Sequence, residues 1–232
     1  MLKYDPNDVV APSGPPALSV PAATVIDALS PLLTPARLAR IDAVVAQRTR
    51  SVVPVLDGLI DPHNVAAVLR SADAFGIQDV HVIQGTEAFV ASHRVAQGTE
   101  QWLDLVRHAD AQACARHLRA SGYRLLVAQM EAEVTPAQLP DLGKVAVVFG
   151  NEHAGVSPQL TEIADGRYGI PMRGFVESLN VSVASAITLQ HATQHRAGDL
   201  SLLEQQELRA RFMMLSVDRA DEIIAEYLRR RS

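Results

Sequence analysis

The densest run of residues able to do chemistry lies near position 180. Ile170-Pro171-Met172 is an apolar segment fixed by proline, Arg173-Gly174 turns the chain, and Ser178, Leu179 and Asn180 stand where a helix should begin. The first N–H groups of a helix lack internal partners, so polar side chains there can help to hold an anion. Behind them Ser182, Ala184, Ser185 and Ala186 keep two helical turns small, which lets another backbone come close. Together these residues predict one wall of a ligand pocket.

Two further loops have the same character, at 57–64 and 150–157. They bring Asn64, Asn151 and Glu152, with Arg70 a turn or so into the helix after the first loop. On that helix Val65, Val68, Leu69, Ala72 and Phe75 share one face at about 100° per residue, and Arg70 points roughly the other way. Taken singly, each residue has a bland reading. Ser178 is then a helix cap, Glu152 compensates a helix terminus and Arg70 is a solvated arginine. Three such loops at strand ends, where open α/β sheets bind ligands, weigh against that reading. The chain contains no G-x-G-x-x-G, no G-x-x-x-x-G-K-[ST] and no G-x-S-x-G, which disfavours dinucleotide, nucleoside-triphosphate and serine-hydrolase sites. His191 and His195 are four apart, but two histidines with no carboxylate in the pattern are weak grounds for a metal, and none is expected.

The elements that must position these residues follow from the apolar pattern. Residues 1–30 are rich in proline and alanine and are expected to form an extended or disordered arm. Thr34-Pro35 starts a helix to about 47 within a helical extension over 31–50. Strands are expected at 51–56, 80–83, 102–106, 123–128, 144–149 and 167–171. Helices are expected at 65–75 behind an Asn64 cap, from Asp110 to 120, at 158–164 and at 178–195. Residues 87–101 read as a surface loop, and one or two amphipathic helices fill 201–231. Strands alternating with helices predict an α/β domain over 51–198 with a parallel sheet, followed by a helical extension over 199–232.

Composition sets the outer limits. The 232 residues are 48% hydrophobic but only 4% aromatic, so the core must be built of aliphatic side chains. The single cysteine, Cys114, excludes an internal disulfide and suggests a reducing, cytoplasmic setting. No apolar run reaches membrane-spanning length. The net charge of −5 argues mildly against nucleic acid, yet Lys3, Arg37, Arg40, Arg48 and Arg50 gather near one end and Arg229, Arg230 and Arg231 at the other.

Three runs resemble the motifs of the SPOUT superfamily, TrmH (SpoU) branch. They are Asn64-Val65-Ala66-Ala67-Val68-Leu69-Arg70 with Ala74-Phe75-Gly76; Val148-Phe149-Gly150-Asn151-Glu152 with Gly155-Val156-Ser157; and Ile170-Pro171-Met172 with Ser178-Leu179-Asn180-Val181-Ser182-Val183-Ala184. Their order and spacing fit over residues 33–231. The resemblance implies an S-adenosylmethionine-dependent RNA 2′-O-ribose methyltransferase, a C-terminal deep trefoil knot, and a homodimer with its active site at the subunit interface. It implies a cofactor cleft formed by Ala128, Gln129, Met130, Gly150, Asn151, Ile170, Met172 and Leu179. The catalytic group it implies is Arg70, Asn64, Glu152, Ser178 and Asn180. A guanidinium stays protonated at neutral pH, so Arg70 is expected to bind the neighbouring phosphate and stabilise alkoxide charge, with outright deprotonation of the hydroxyl as the alternative. The end helices resemble members that modify a D-loop guanosine of tRNA. Gly98-Thr99-Glu100-Gln101-Trp102 departs from the basic version usual there, which keeps ribosomal RNA as the alternative substrate. A non-catalytic RNA-binding member is the reading from a different class, and the presence of all five catalytic-type residues disfavours it.

Overall fold

The computed structural model describes residues 9–11, 13–83 and 89–231. Pro6, Pro12 and the start of the expected 87–101 loop lie outside them. In chain order the elements are β1 (Val9–Val10), α1 (Ala22–Leu29), α2 (Pro35–Ala46), β2 (Val52–Asp57), α3 (Pro62–Ala74), β3 (Asp79–Ile83), β4 (Ala91–Ser92), α4 (His93–Ala96), β5 (Asp104–His108) and α5 (Ala111–Ala120). There follow β6 (Arg124–Ala128), β7 (Val145–Gly150), α6 (Pro158–Ile163), β8 (Gly166–Tyr168), α7 (Val181–Thr193), α8 (Leu202–Ser216) and α9 (Ala220–Arg229). They fall into two compact units. Arg50–Arg196 with the short β1 forms one, and Gly14–Thr49 with residues 197–231 forms the other.

The first unit holds a six-stranded sheet in the order β5-β3-β2-β7-β6-β8, every neighbouring pair parallel. β2 and β7 lie in the middle, and their near-continuous apolar runs follow from burial on both faces. Pro54 sits inside β2, where a missing N–H would normally break a ladder. The strand accommodates it because β2 pairs with β7 over its whole length but with β3 only from Val55 onward. One face of the sheet packs against α3 and α7 through Val65, Leu69, Leu126, Phe149 and Leu189. The other packs against α5 and α6 through Val53, Val55, Leu118, Val148 and Leu160.

On that second face lies a polar cluster. A hydrogen bond of 2.8 Å joins His81 Nδ1 on β3 and His108 Nε2 on β5, with the ring planes 7° apart. Cys114 of α5 is buried beside them. Burial, aided by the nearby His108 and His117, pushes the His81 pKa down to about 3, so the ring is neutral.

The second unit is helical. α1 replaces the last part of the extended arm expected for 1–30 with a helix at Ala22–Leu29. Pro21 lies at its start, and Val25, Ala28 and Leu29 are buried on one side, so the prolines precede a helix rather than prevent one. Thr34 caps α2 by accepting from the Arg37 N–H at 3.2 Å, as its Thr-Pro signal predicts. The 201–231 segment forms two helices, separated where Arg219 adopts a left-handed φ of 56°.

Other differences are local. Asp61, not Asn64, caps α3, accepting from the His63 and Asn64 N–H groups at 2.7 and 3.4 Å with Pro62 in the first turn. α7 begins at Val181 under an Asn180 cap, so Ser178 lies ahead of the helix instead of capping it. The described part of the expected 87–101 loop contains β4, which pairs antiparallel with β1, and the one-turn α4. At the far end of α7, Arg196 Nη2 donates to the carbonyls of Leu139, Pro140 and Gly143 at 3.2, 3.0 and 2.8 Å, while its Nε donates to Ala192 O at 2.8 Å.

Candidate active site

A cavity of about 480 Å³ opens at the carboxyl ends of β6, β7 and β8. Parallel strands deliver loops to one edge of the sheet, which is where such sheets bind ligands. Three loops and the start of α7 supply the wall. Ala128, Gln129 and Met130 come from the end of β6; Gly150, Asn151 and Glu152 from β7; Ile170 and Met172 from the segment after β8; Ser178, Leu179 and Asn180 from the entry to α7.

Two glycines make these loops fit. A Cβ on Gly150 would stand 2.2 Å from both the Gly155 carbonyl carbon and the Val156 nitrogen, so the loop folds directly over the strand end. A Cβ on Gly169 would stand 2.4 Å from Gln129 O, where the loops after β6 and β8 meet. Asn151 closes the first of these turns. Its backbone exchanges two 2.9 Å hydrogen bonds with Gly155, its Oδ1 accepts from the N–H groups of His153 and Ala154, and its Nδ2 donates to Gly58 O at 2.8 Å. Asn151 therefore shapes the wall rather than leaving its amide free for a ligand.

Asn64 reaches from α3 to this loop and donates to Glu152 Oε1 at 3.0 Å. The other carboxylate oxygen, Oε2, is buried with no hydrogen-bond partner. It is an acceptor left for a group that the chain does not supply. Asn180 Oδ1 accepts from the Ser182 N–H at 2.8 Å and from the Ser182 hydroxyl. Ser178 is exposed at the mouth.

Arg70 stands apart. It is exposed on α3, is not among the cavity-lining residues, and its Nη1 donates to Val95 O in α4 at 3.2 Å. Its direction away from the core is as the helical spacing predicts. The structure thus gathers the eight expected cofactor-site residues with Glu152, Ser178 and Asn180, links Asn64 to them through one hydrogen bond, and leaves Arg70 outside the cavity.

Several wall residues carried no sequence signal of their own. His153 and Glu177 are short steps from named motif residues, and Tyr168 and Thr188 show only as strand and helix interior. Burial pushes the Tyr168 phenol pKa up, so it stays protonated; its hydroxyl donates to Val148 O at 3.3 Å. Burial, with the Asp57 carboxylate nearby, pushes the Cys114 thiol pKa up to about 12, so the free thiol stays protonated.

The cavity suits a ligand with apolar and polar parts. Met172 and Leu179 offer apolar wall, strand-end backbone offers amides and carbonyls, and the buried Glu152 oxygen offers one fixed acceptor. Residues 51–190 match the SpoU rRNA methylase family. A tRNA (guanosine(18)-2′-O)-methyltransferase from Thermus thermophilus is 34% identical over 70% of this chain and 84% of its own length. A TrmH/SpoU tRNA modifying enzyme from A. aeolicus superposes with a TM-score of 0.70 at 28% identity, over 78% of this chain and 97% of that one. An AdoMet-bound rRNA methyltransferase from Sinorhizobium meliloti superposes with a TM-score of 0.56 at 25% identity, over 67% of this chain and 60% of that one.

Proposed function

Since this chain belongs to the SpoU rRNA methylase family, we propose that it methylates a ribose 2′-hydroxyl in RNA with S-adenosylmethionine as donor, a D-loop guanosine of tRNA being the substrate. The observation that carries this reading is the single cavity formed by the strand-end loops, with the buried Glu152 oxygen on its wall. The donor, when bound there, supplies a methyl group on a sulfonium, which needs no metal to leave. The close approaches at Gly150 and Gly169 keep the strand-end amides and carbonyls within reach of that donor. Glu152 Oε1 is fixed by Asn64, which leaves Oε2 to orient a polar group of donor or RNA. Ser178 and the first turn of α7, capped by Asn180, receive an RNA phosphate.

The 2′-hydroxyl must lose its proton as it attacks, and Arg70 is the residue assigned to that charge. Its guanidinium binds the adjacent phosphate and stabilises the developing alkoxide. Arg70 lies outside its own chain's cavity, which supports a homodimer in which it serves the partner's site. Phe175, Val176 and Val183, exposed by 107, 61 and 46%, lie close in sequence to wall residues and give a second copy an apolar surface to cover. The family's trefoil knot is part of the same reading. The close approach of Gly169 to Gln129 O, between segments distant in sequence, supports it. Among the described residues no helix is long and apolar enough to cross a membrane, and RNA substrates favour the cytoplasm.

Ribosomal RNA is the second reading. It is favoured by Glu100 before Trp102, where the tRNA-modifying pattern is basic, and by the rRNA methylase family that residues 51–190 match. Transfer of radiolabelled methyl to total tRNA and to ribosomal RNA, followed by nucleoside mapping, tests both. Label in 2′-O-methylguanosine from tRNA is the expected result. Label only in ribosomal RNA would replace the substrate, and absence of label from both would overturn the enzyme reading.

A further inference from the structure

The His81–His108 pair and Cys114 lie on the α5 face of the sheet and share no residue with the cavity wall. They converge through the fold, not through sequence. β3 and β5 are parallel with Ile83 opposite His108, so His81 and His108 project from the same face two register positions apart. α5 crosses that face with Cys114 turned inward, and His117, one turn later, sets its ring 5.5 Å from that of His81 and 5.3 Å from that of His108. Donor atoms of His81, His108 and Cys114 all lie within 4.8 Å of one another, and all three residues are buried. Among the described residues this is the one group of three or more metal-type donors so close together. His117 is exposed, which gives an ion a way in.

We infer that His81, His108 and Cys114, completed by His117, form a closed tetrahedral seat for a first-row divalent metal ion. Imidazole with thiolate matches zinc best. Bond lengths of about 2.0–2.1 Å to nitrogen and about 2.3 Å to sulfur put neighbouring ligand atoms about 3.4–3.6 Å apart. The imidazole nitrogens, now 2.8 Å apart, must open by about half an ångström as the rings swing and give up their shared hydrogen bond, and the proton of that bond shifts to the other nitrogen of its own ring so that both rings stay neutral and present a lone pair. His117 closes the fourth position by rotating its exposed side chain. The thiol proton of Cys114 leaves to solvent as the sulfur binds, and the Asp57 carboxylate adds negative charge on this face. Four protein ligands leave no open position, so the ion ties the edge strand β5 to β3 and α5 and takes no part in methyl transfer.

The test uses the full, untagged chain. After treatment with a chelator it is titrated with cobalt(II), and its zinc content is measured by mass spectrometry after zinc loading and gel filtration. The expected result is one ion per chain, a thiolate-to-cobalt charge-transfer band and a raised melting temperature. Cys114→Ala should lose the band, bind at least about tenfold more weakly and show no rise in melting temperature when zinc is added. His117→Ala, at an exposed position, should keep the band with its ligand-field intensity changed; it carries the test if Cys114→Ala does not fold. No ion bound would overturn the inference and leave a hydrogen-bonded imidazole pair. Equal binding by wild type and Cys114→Ala would overturn it too, by placing the ion elsewhere, as at His191 and His195.

Discussion

The strand-end cavity and the imidazole cluster stand on one sheet and are built by opposite means. The cavity is made of loops. Its shape depends on backbone passing close to backbone at Gly150 and Gly169, and its polar groups face a space that the chain does not fill. The cluster is made of side chains on two strands and a helix, and its groups already answer one another. A site of loops can be reshaped by a ligand, whereas a site on rigid elements is set by register alone. The first arrangement suits turnover and the second suits a fixed cross-link.

That contrast can be broken or sharpened by substitution. Arg70→Ala should lower methyl transfer most, by about 10²–10³-fold, since it removes charge stabilisation near the reacting oxygen. Cofactor affinity measured by calorimetry should hold; its loss would move Arg70 from the RNA side to the donor side. Gly150→Ala forces the 151–155 loop off its strand and should cost about a hundredfold in turnover. Here cofactor affinity should fall as well, while metal uptake at Cys114 is unchanged. If uptake fell too, the two regions would not be independent.

Asp61→Ala removes the cap of the helix that carries Asn64 and Arg70, at about 1 kcal/mol in urea denaturation. The smallest effect lies on the cluster's face. Asp165 accepts from Arg119 of α5 at 2.7 Å and from the Leu125 N–H at 2.8 Å. Burial opposes its ionisation, but the hydrogen bond from Arg119, the Leu125 N–H and the charges of Arg119 and Arg124 outweigh it and hold its pKa below the usual range. A lowered carboxyl pKa adds stability that is complete above the unfolded value of about 3.9 and is lost as pH falls through the folded value. Below about pH 4 the wild type should therefore lose melting temperature more steeply than Asp165→Asn.

The two regions also differed in how far the sequence revealed them. The cavity was legible because its residues come in short runs at strand ends, where Gly150-Asn151-Glu152 and Ser178-Leu179-Asn180 are local signals. The cap positions were less so. Ser178 and Asn180 are both good caps by type, and Asn180 takes the role, accepting from the Ser182 N–H at 2.8 Å. Asp61-Pro62 and Asn64 are both helix-start signals within four residues, and sequence alone does not rank them. α1 was obscured by the prolines before it, although Val25, Ala28 and Leu29 already had helical spacing. The cluster left no trace. His81 and His108 are 27 residues apart, and only the β3–β5 register brings them together. No periodicity carries register between strands that are not adjacent in sequence.

Arg196 has a mechanical consequence. Its guanidinium binds three carbonyls of the 139–143 segment and one of α7, so α7 is moored at its C-terminal end. Its other end is part of the cavity wall. A helix anchored in this way moves as a lever with a fixed fulcrum, and its largest excursions fall at Val181, Ser182 and Val183. Amide hydrogen exchange there should report whether the cavity is filled, while amides near Ala192 exchange at the same slow rate in either state.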